Sequence, residues 1–127
     1  MISAGDVIRI GDDGSPGCHH FVVISDPAVN PHAILLVPFT TLEPWKDDTC
    51  QVSPADGLPF VRHQTCLDYY NARTESDATL TKMFSAGAAK HVMNVGAELL
   101  ERIRKGADES PRLQNKHWRL LNDQNLV

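Results

Sequence analysis

The stretch CHHFVVISDPAVNPHAILLVPFTT, residues 18–41, decides how this chain folds. It holds two apolar runs, Phe21 to Ile24 and Ala33 to Val37, each strand-sized and bounded by turn formers. Ser25-Asp26-Pro27 closes the first, and Asn30-Pro31 marks a turn before the second. If the runs pair as antiparallel neighbours, the start of the first lies beside the end of the second. Cys18, His19 and His20 then meet Thr40 and Thr41 at one margin of a small barrel or sheet. The second run is almost continuously apolar, which predicts burial on both faces, and Pro38 marks a bulge or an edge near its end.

Working outward, Val7 to Ile10 alternates, with Val7 and Arg9 on one face and Ile8 and Ile10 on the other, and predicts a strand. Residues 11–17, GDDGSPG, form a loop that cannot continue it. Downstream, Leu42 to Asp48 is a loop carrying Trp45, Thr49 to Val52 a short strand, and Ser53 to Gly57 another turn. Phe60 to Arg73 reads as one or two further strands, so five or six short strands come first. From Glu75 the character changes. Thr79 to Phe84 fits a strand or a short helix, and residues 86–89 are a connector. A helix runs from an N-cap at Asn94 through Lys105 with Gly106 as its stop. Ser110-Pro111 begins a second, Arg112 to Leu121, and the tail after Asn122 frays.

At 127 residues the chain is sized for a single domain, 1–127. With 42% hydrophobic and 22% charged residues the composition is globular rather than disordered. No apolar run approaches a membrane span and the first residues do not read as a basic-then-apolar secretory segment, so neither a leader nor a membrane partner is expected. Three cysteines at positions 18, 50 and 66 make a disulfide framework a poor fit, and the default location is a reducing cytoplasm. Twelve basic against sixteen acidic residues give a net charge of −4, which excludes gripping nucleic acid by bulk electrostatics but not through a local basic patch.

Several segments resemble the MazF/PemK-like toxins. Gly5-Asp6-Val7-Ile8 matches their start, Phe21 to Ser25 stands in the place of their R-P-A-V-V-L-S strand, and Val37-Pro38-Phe39-Thr40-Thr41 in that of V-P-x-T-T. Gln64 and Ala72-Arg73 echo a D-Q…A-R segment. The resemblance covers about the first 73 residues and a helix near 95–105. It implies an SH3-like barrel and a metal-independent endoribonuclease acting on single-stranded RNA, usually a homodimer, held off by an antitoxin. Thr40 matches the family threonine that assists at the scissile phosphate. His19 holds the place of the family arginine and His20 that of the neighbouring proline. The expected fold class is therefore mainly β (α+β): a small SH3-like barrel core over 1–74, with one or two helices in a C-terminal extension, 75–127, packed on it.

The residues support a compatible chemistry. Imidazole near neutral pH can take a proton from a ribose 2′-hydroxyl and return one to the leaving 5′-oxygen. A mechanism can be written with His19 or His20 as base, His63 as acid and Thr40 with Arg62 on the phosphate. Thr41, Gln64 and Arg73 complete the candidate substrate contacts. Adjacent strand residues point to opposite faces, so only one of His19 and His20 can serve a given pocket. Cys18, His19, His20, Cys50, His63, Cys66 and Asp68 are ligand types without metal-site spacing, so neither a metal nor another cofactor is expected. Cys18 or Cys66 as nucleophile lacks an oxyanion-hole pattern. Acidic Asp12-Asp13-Gly14 counts against tight RNA binding, and a barrel that binds a protein or nucleic-acid partner without cleaving it is the alternative.

Overall fold

The computed structural model describes residues 1–11 and 17–127, so the expectation for Asp12-Asp13-Gly14 lies outside the described residues. Among them, seven strands and three helices form an α+β fold. The strands are β1 (Asp6–Ile10), β2 (His19–Val23), β3 (Ile34–Thr41), β4 (Gln51–Val52), β5 (Thr65–Leu67), β6 (Arg73–Glu75) and β7 (Ala89–Asn94). The helices are α1 (Asp77–Ser85), α2 (Ala97–Glu109) and α3 (Asn115–Asp123). All strand pairings are antiparallel in the order β4-β5-β3-β2-β1-β7, with β6 also on β3. No pairing among the described residues joins β4 to β7, so this path has two ends.

The pair expected from residues 18–41 forms, in the register Phe21↔Pro38, Val22↔Val37 and Val23↔Leu36. Where β2 ends, Ser25 continues the ladder with its hydroxyl, accepting the Leu35 N–H at 2.9 Å. β3 also carries two other partners: Ile34 to Leu36 pair with β6 and Phe39 to Thr41 with β5. The change of partner falls at Pro38, which has no N–H to give; its carbonyl accepts from Asp68 N–H at 2.8 Å.

Alternation sorts the strands between two cores. Val7, Val22, Ile24, Leu35, Val37 and Phe39 pack with Leu99, Leu100, Ile103 and Ala107 of α2 and Leu121 of α3. Ile8, Phe21, Val23, Ile34 and Leu36 pack with Leu80 of α1. Ile34 to Val37 are fully buried, as their continuous apolar run predicts, and each contributes on the order of 1.5–3 kcal/mol.

The second half of the chain holds three helices and a strand, β7, that was not expected. Residues 79–84, ambiguous by pattern, lie in α1, whose N-cap Ser76 accepts the Thr79 N–H at 3.0 Å. Residues 89–94 form β7 against β1, where only a connector and a cap were expected. Asn94 is therefore no N-cap: its side-chain amide donates to the Ala4 carbonyl and to Asp6, and its oxygen accepts the Gly96 N–H. Val7 pairs with Met93 but Ile8 with His91, so Val92 is an extra residue, a bulge on an edge strand.

Gly106 does not stop α2 but lies inside it, where the helix backbone meets Tyr69. Tyr69 is fully buried and its hydroxyl donates to the Ile103 carbonyl at 2.7 Å. The helix ends instead at Ser110, whose ψ of 130° is what a following proline favours. Accordingly α3 starts at Asn115, later than expected, and Leu126 and Val127 pack against the core rather than fraying.

Two stability measurements follow from these contacts. A Cβ at Gly106 would collide with the Tyr69 hydroxyl and stand 2.8 Å from the Cys50 Cβ. Gly106→Ala is therefore expected to destabilise the fold by about 1–3 kcal/mol in urea unfolding, against the roughly 1 kcal/mol gain alanine brings to an open helix position. His117 on α3 is buried, with its Nδ1 lacking a hydrogen-bond partner among the described residues. Burial pushes its pKa down, and Lys116 adds to the effect. The unfolded chain then binds the proton more tightly, so stability is present above about pH 6.5 and lost as pH falls through the lower folded value. Urea midpoints should drop between pH 6.5 and 5, and His117→Leu should flatten that drop.

Candidate functional site

The β3–β5 pairing builds the first part of the site. Thr41 stands opposite Thr65, and the Leu42 N–H extends the ladder to the Gln64 carbonyl at 3.1 Å. The Thr65 hydroxyl donates to the His63 carbonyl at 3.0 Å, which fixes the backbone just before β5. His63 Nε2 then lies 2.9 Å from Thr41 Oγ1. Beside this pair, the side-chain amide of Gln64 donates to Gln51 Oε1 at 3.0 Å.

A turn closed by the Val61 N–H on the Leu58 carbonyl, both residues buried, presents Phe60 to β2. The Phe60 ring stacks on His20, with centroids 4.2 Å apart and 4° between planes. Its other contact is edge-on to Phe39, at 5.1 Å and 72°. Because Phe39 and Thr41 share a face of β3, the His20–Phe60–Phe39 contacts and the Thr41–His63 pair lie on one side of the strand. This is the face covered further along by α2.

The remaining candidates lie elsewhere. His19 points to the α1 face, edge-on to Phe21 at 6.2 Å. Arg73, opposite Leu36, shares that face: its guanidinium lies 5.4 Å from the centre of the Phe21 ring and bonds Glu75 at 3.1 Å. Thr40 is one residue out of phase with Thr41, so the hydroxyl that meets a histidine belongs to Thr41 rather than Thr40. The sheet thus separates two groups that the sequence placed together, His20, Thr41 and His63 on one face and His19, Thr40 and Arg73 on the other. Arg62, His63 and Gln64 are exposed at the open side of the first group.

Among the described residues no cluster of three or more His, Cys, Asp or Glu could hold a metal ion. Cys66 is buried in β5, and burial with the Asp68 carboxylate raises its thiol to about 11. It is almost wholly protonated at neutral pH and a poor nucleophile. No helix of the described residues is long and apolar enough to cross a membrane.

Phe60 packs against the α2-side core as well as on His20, and Arg9 carried no role in the sequence pattern. The register places Arg9 directly opposite His20, on the same face. Its alternation with Ile8 was the available signal. The aromatic stack has a direct readout. The ring protons of His20 should be shifted upfield by Phe60, and Phe60→Ala should return them downfield in NMR spectra while leaving the His63 ring signals in place. Unchanged His20 signals would contradict the stacking.

The chain matches no protein-family model, and no curated protein matches it either.

Proposed function

We propose that this protein is an SH3-like barrel of the MazF/PemK-like kind, cleaving single-stranded RNA without a metal at the margin that carries the Thr41–His63 pair and, on the same face, His20. Support for the barrel comes from β3, which serves β2 and β6 with its first residues and β5 with its last, the change of partner falling at Pro38. The observation that carries the activity is the Thr41–His63 hydrogen bond at 2.9 Å.

Exposed His63, its Nε2 held at Thr41 Oγ1, has Nδ1 left to face a substrate and, in its doubly protonated form, a proton to give there. His20 takes the proton of a ribose 2′-hydroxyl, the 2′-oxygen attacks phosphorus, and the P–O5′ bond breaks as His63 protonates the 5′-oxygen. The products are a 2′,3′-cyclic phosphate and a 5′-hydroxyl, and exchange with water returns both imidazoles to their starting states. Arg62, next to His63, supplies a guanidinium for the phosphate. A second reading, a non-catalytic barrel that binds a partner, is favoured by the Phe60 ring on His20 and by exposed Trp45 and Tyr70, which suit stacking.

Incubation of the purified protein with single-stranded RNA in EDTA decides between them. Cleavage should persist, and His20→Ala and His63→Ala should each slow it by about 100-fold or more. His19→Ala and Thr40→Ala, on the opposite face, should change it by less than about twofold, within the small effect expected of surface changes away from the reacting groups. No cleavage at large protein excess would leave the binding reading.

A further inference from the structure

A second recess lies on the side of the sheet away from the Thr41–His63 pair. Ile8 of β1 belongs to the core under α1, and the register sets His91 of β7 opposite Ile8 and Asn94 opposite Asp6. Directly opposed residues of antiparallel strands share a face, so Asp6, Ile8 and His91 all look toward α1. From that helix Asp77, Thr81 and Phe84, spaced by four and then three residues, supply a single stripe. Strands and helix together line a cavity of about 420 Å³. That volume falls within the range of small-molecule sites. Ile2 of the N-terminal segment closes one side, and fully exposed Met1 stands at the mouth.

The floor of the cavity is apolar. Ile8 is fully buried, and Ile2 and Phe84 pack on the same core. The walls are acidic. Buried Asp6 accepts the Ser3 N–H on Oδ2 at 2.8 Å and the Asn94 side-chain amide on Oδ1 at 3.0 Å, and His91 Nε2 stands 3.1 Å from Oδ1. A carboxylate has roughly four acceptor sites, so these partners fix Asp6 and still leave it one to offer a donor. Asp77 and Thr81 are exposed at the rim. Among the described residues no lining side chain is lysine or arginine. Two carboxylates against one imidazole leave the lining side chains negative whether or not the ring carries a proton. No group of three acidic, histidine or cysteine residues among the described residues could hold a metal ion, which leaves an organic cation as the complementary ligand. An ammonium brings three donors for the carboxylates and the Thr81 hydroxyl, and an attached apolar body covers the floor.

We infer that this cavity binds a small primary amine with an apolar body, its ammonium toward the carboxylates and its body on Ile2, Ile8 and Phe84. The site stands apart from the RNA-cleaving margin and does not depend on it. The probe is phenethylamine, titrated into the ¹⁵N-labelled protein and followed by amide shifts. Two relatives of the same shape, phenethyl alcohol without the charge and phenylacetate with the opposite one, are titrated in parallel.

Saturable shifts should appear at Ile8, Thr81, Phe84 and His91, with a dissociation constant at or below about 1 mM. Phenethyl alcohol should bind at least about fivefold more weakly, and phenylacetate should not bind. Asp77→Asn should weaken the amine about two- to fivefold, and Thr81→Trp, which fills the cavity from its rim, should abolish binding. Both positions are exposed, and a dispersed spectrum of each variant checks its fold. Glu98→Gln on α2 should change nothing. Absence of saturable shifts up to about 10 mM would overturn the site. Equal binding of phenethyl alcohol or phenylacetate would overturn the amine, and shifts that survive Thr81→Trp would overturn the cavity.

Discussion

The constraint on which the molecule depends is the desolvation of β3 on both faces. Ile34, Leu35, Leu36 and Val37 are fully buried, two toward each core, and the strand pairs with β2, β5 and β6. A slip of one residue would turn every one of these side chains to the wrong face, so the register is held by several kcal/mol of apolar burial. Positions at the end of β3 inherit that precision although they are not buried themselves. Thr41 meets His63 because Phe39 and Val37 are anchored behind it.

The same alternation divides the chemistry. Residues that are neighbours in sequence, His19 with His20 and Thr40 with Thr41, go to opposite sides of the sheet. On the α1 face His19 and Arg73 flank the Phe21 ring, and Arg73 is tied to Glu75. That arrangement consumes a cation in packing and an ion pair. On the α2 face the ladder ends, Phe60 folds over His20, and polar side chains from β3 and the segment before β5 remain open to solvent. The two faces offer different resources, and among the described residues the second combines a fixed hydroxyl–imidazole pair with an aromatic surface.

The first half of the fold was legible because its signals are local. An alternating Val7 to Ile10, a continuous Ile34 to Val37 and proline-bearing turns between them each permit one reading. The second half was harder to read. β7 is an exposed edge strand with a bulge at Val92, so its sequence AKHVMN lacks the period that would announce it. Gly106 looked like a helix stop because the close approach of Tyr69, from 37 positions earlier, is invisible to local pattern. In the site, the meeting of β2 and β3 ends was legible, whereas the choice of Thr41 over Thr40 depends on the β3–β5 register, set by contacts between Phe39 and Leu67. His91 entered no candidate set because its strand was missed.

Paired threonines at the end of β3 make the site tolerant in one respect and strict in another. Moving β3 by one residue would bring Thr40 into the place of Thr41, so a hydroxyl would still face His63. The same movement would take Leu35, Val37 and Phe39 out of the α2-side core and break the line from Phe39 through Phe60 to His20. Hydroxyl chemistry alone therefore cannot select the register. Apolar burial selects it, and the Thr41–His63 pair is placed as a consequence, which is why polar groups at a margin this exposed can still hold a fixed relative position.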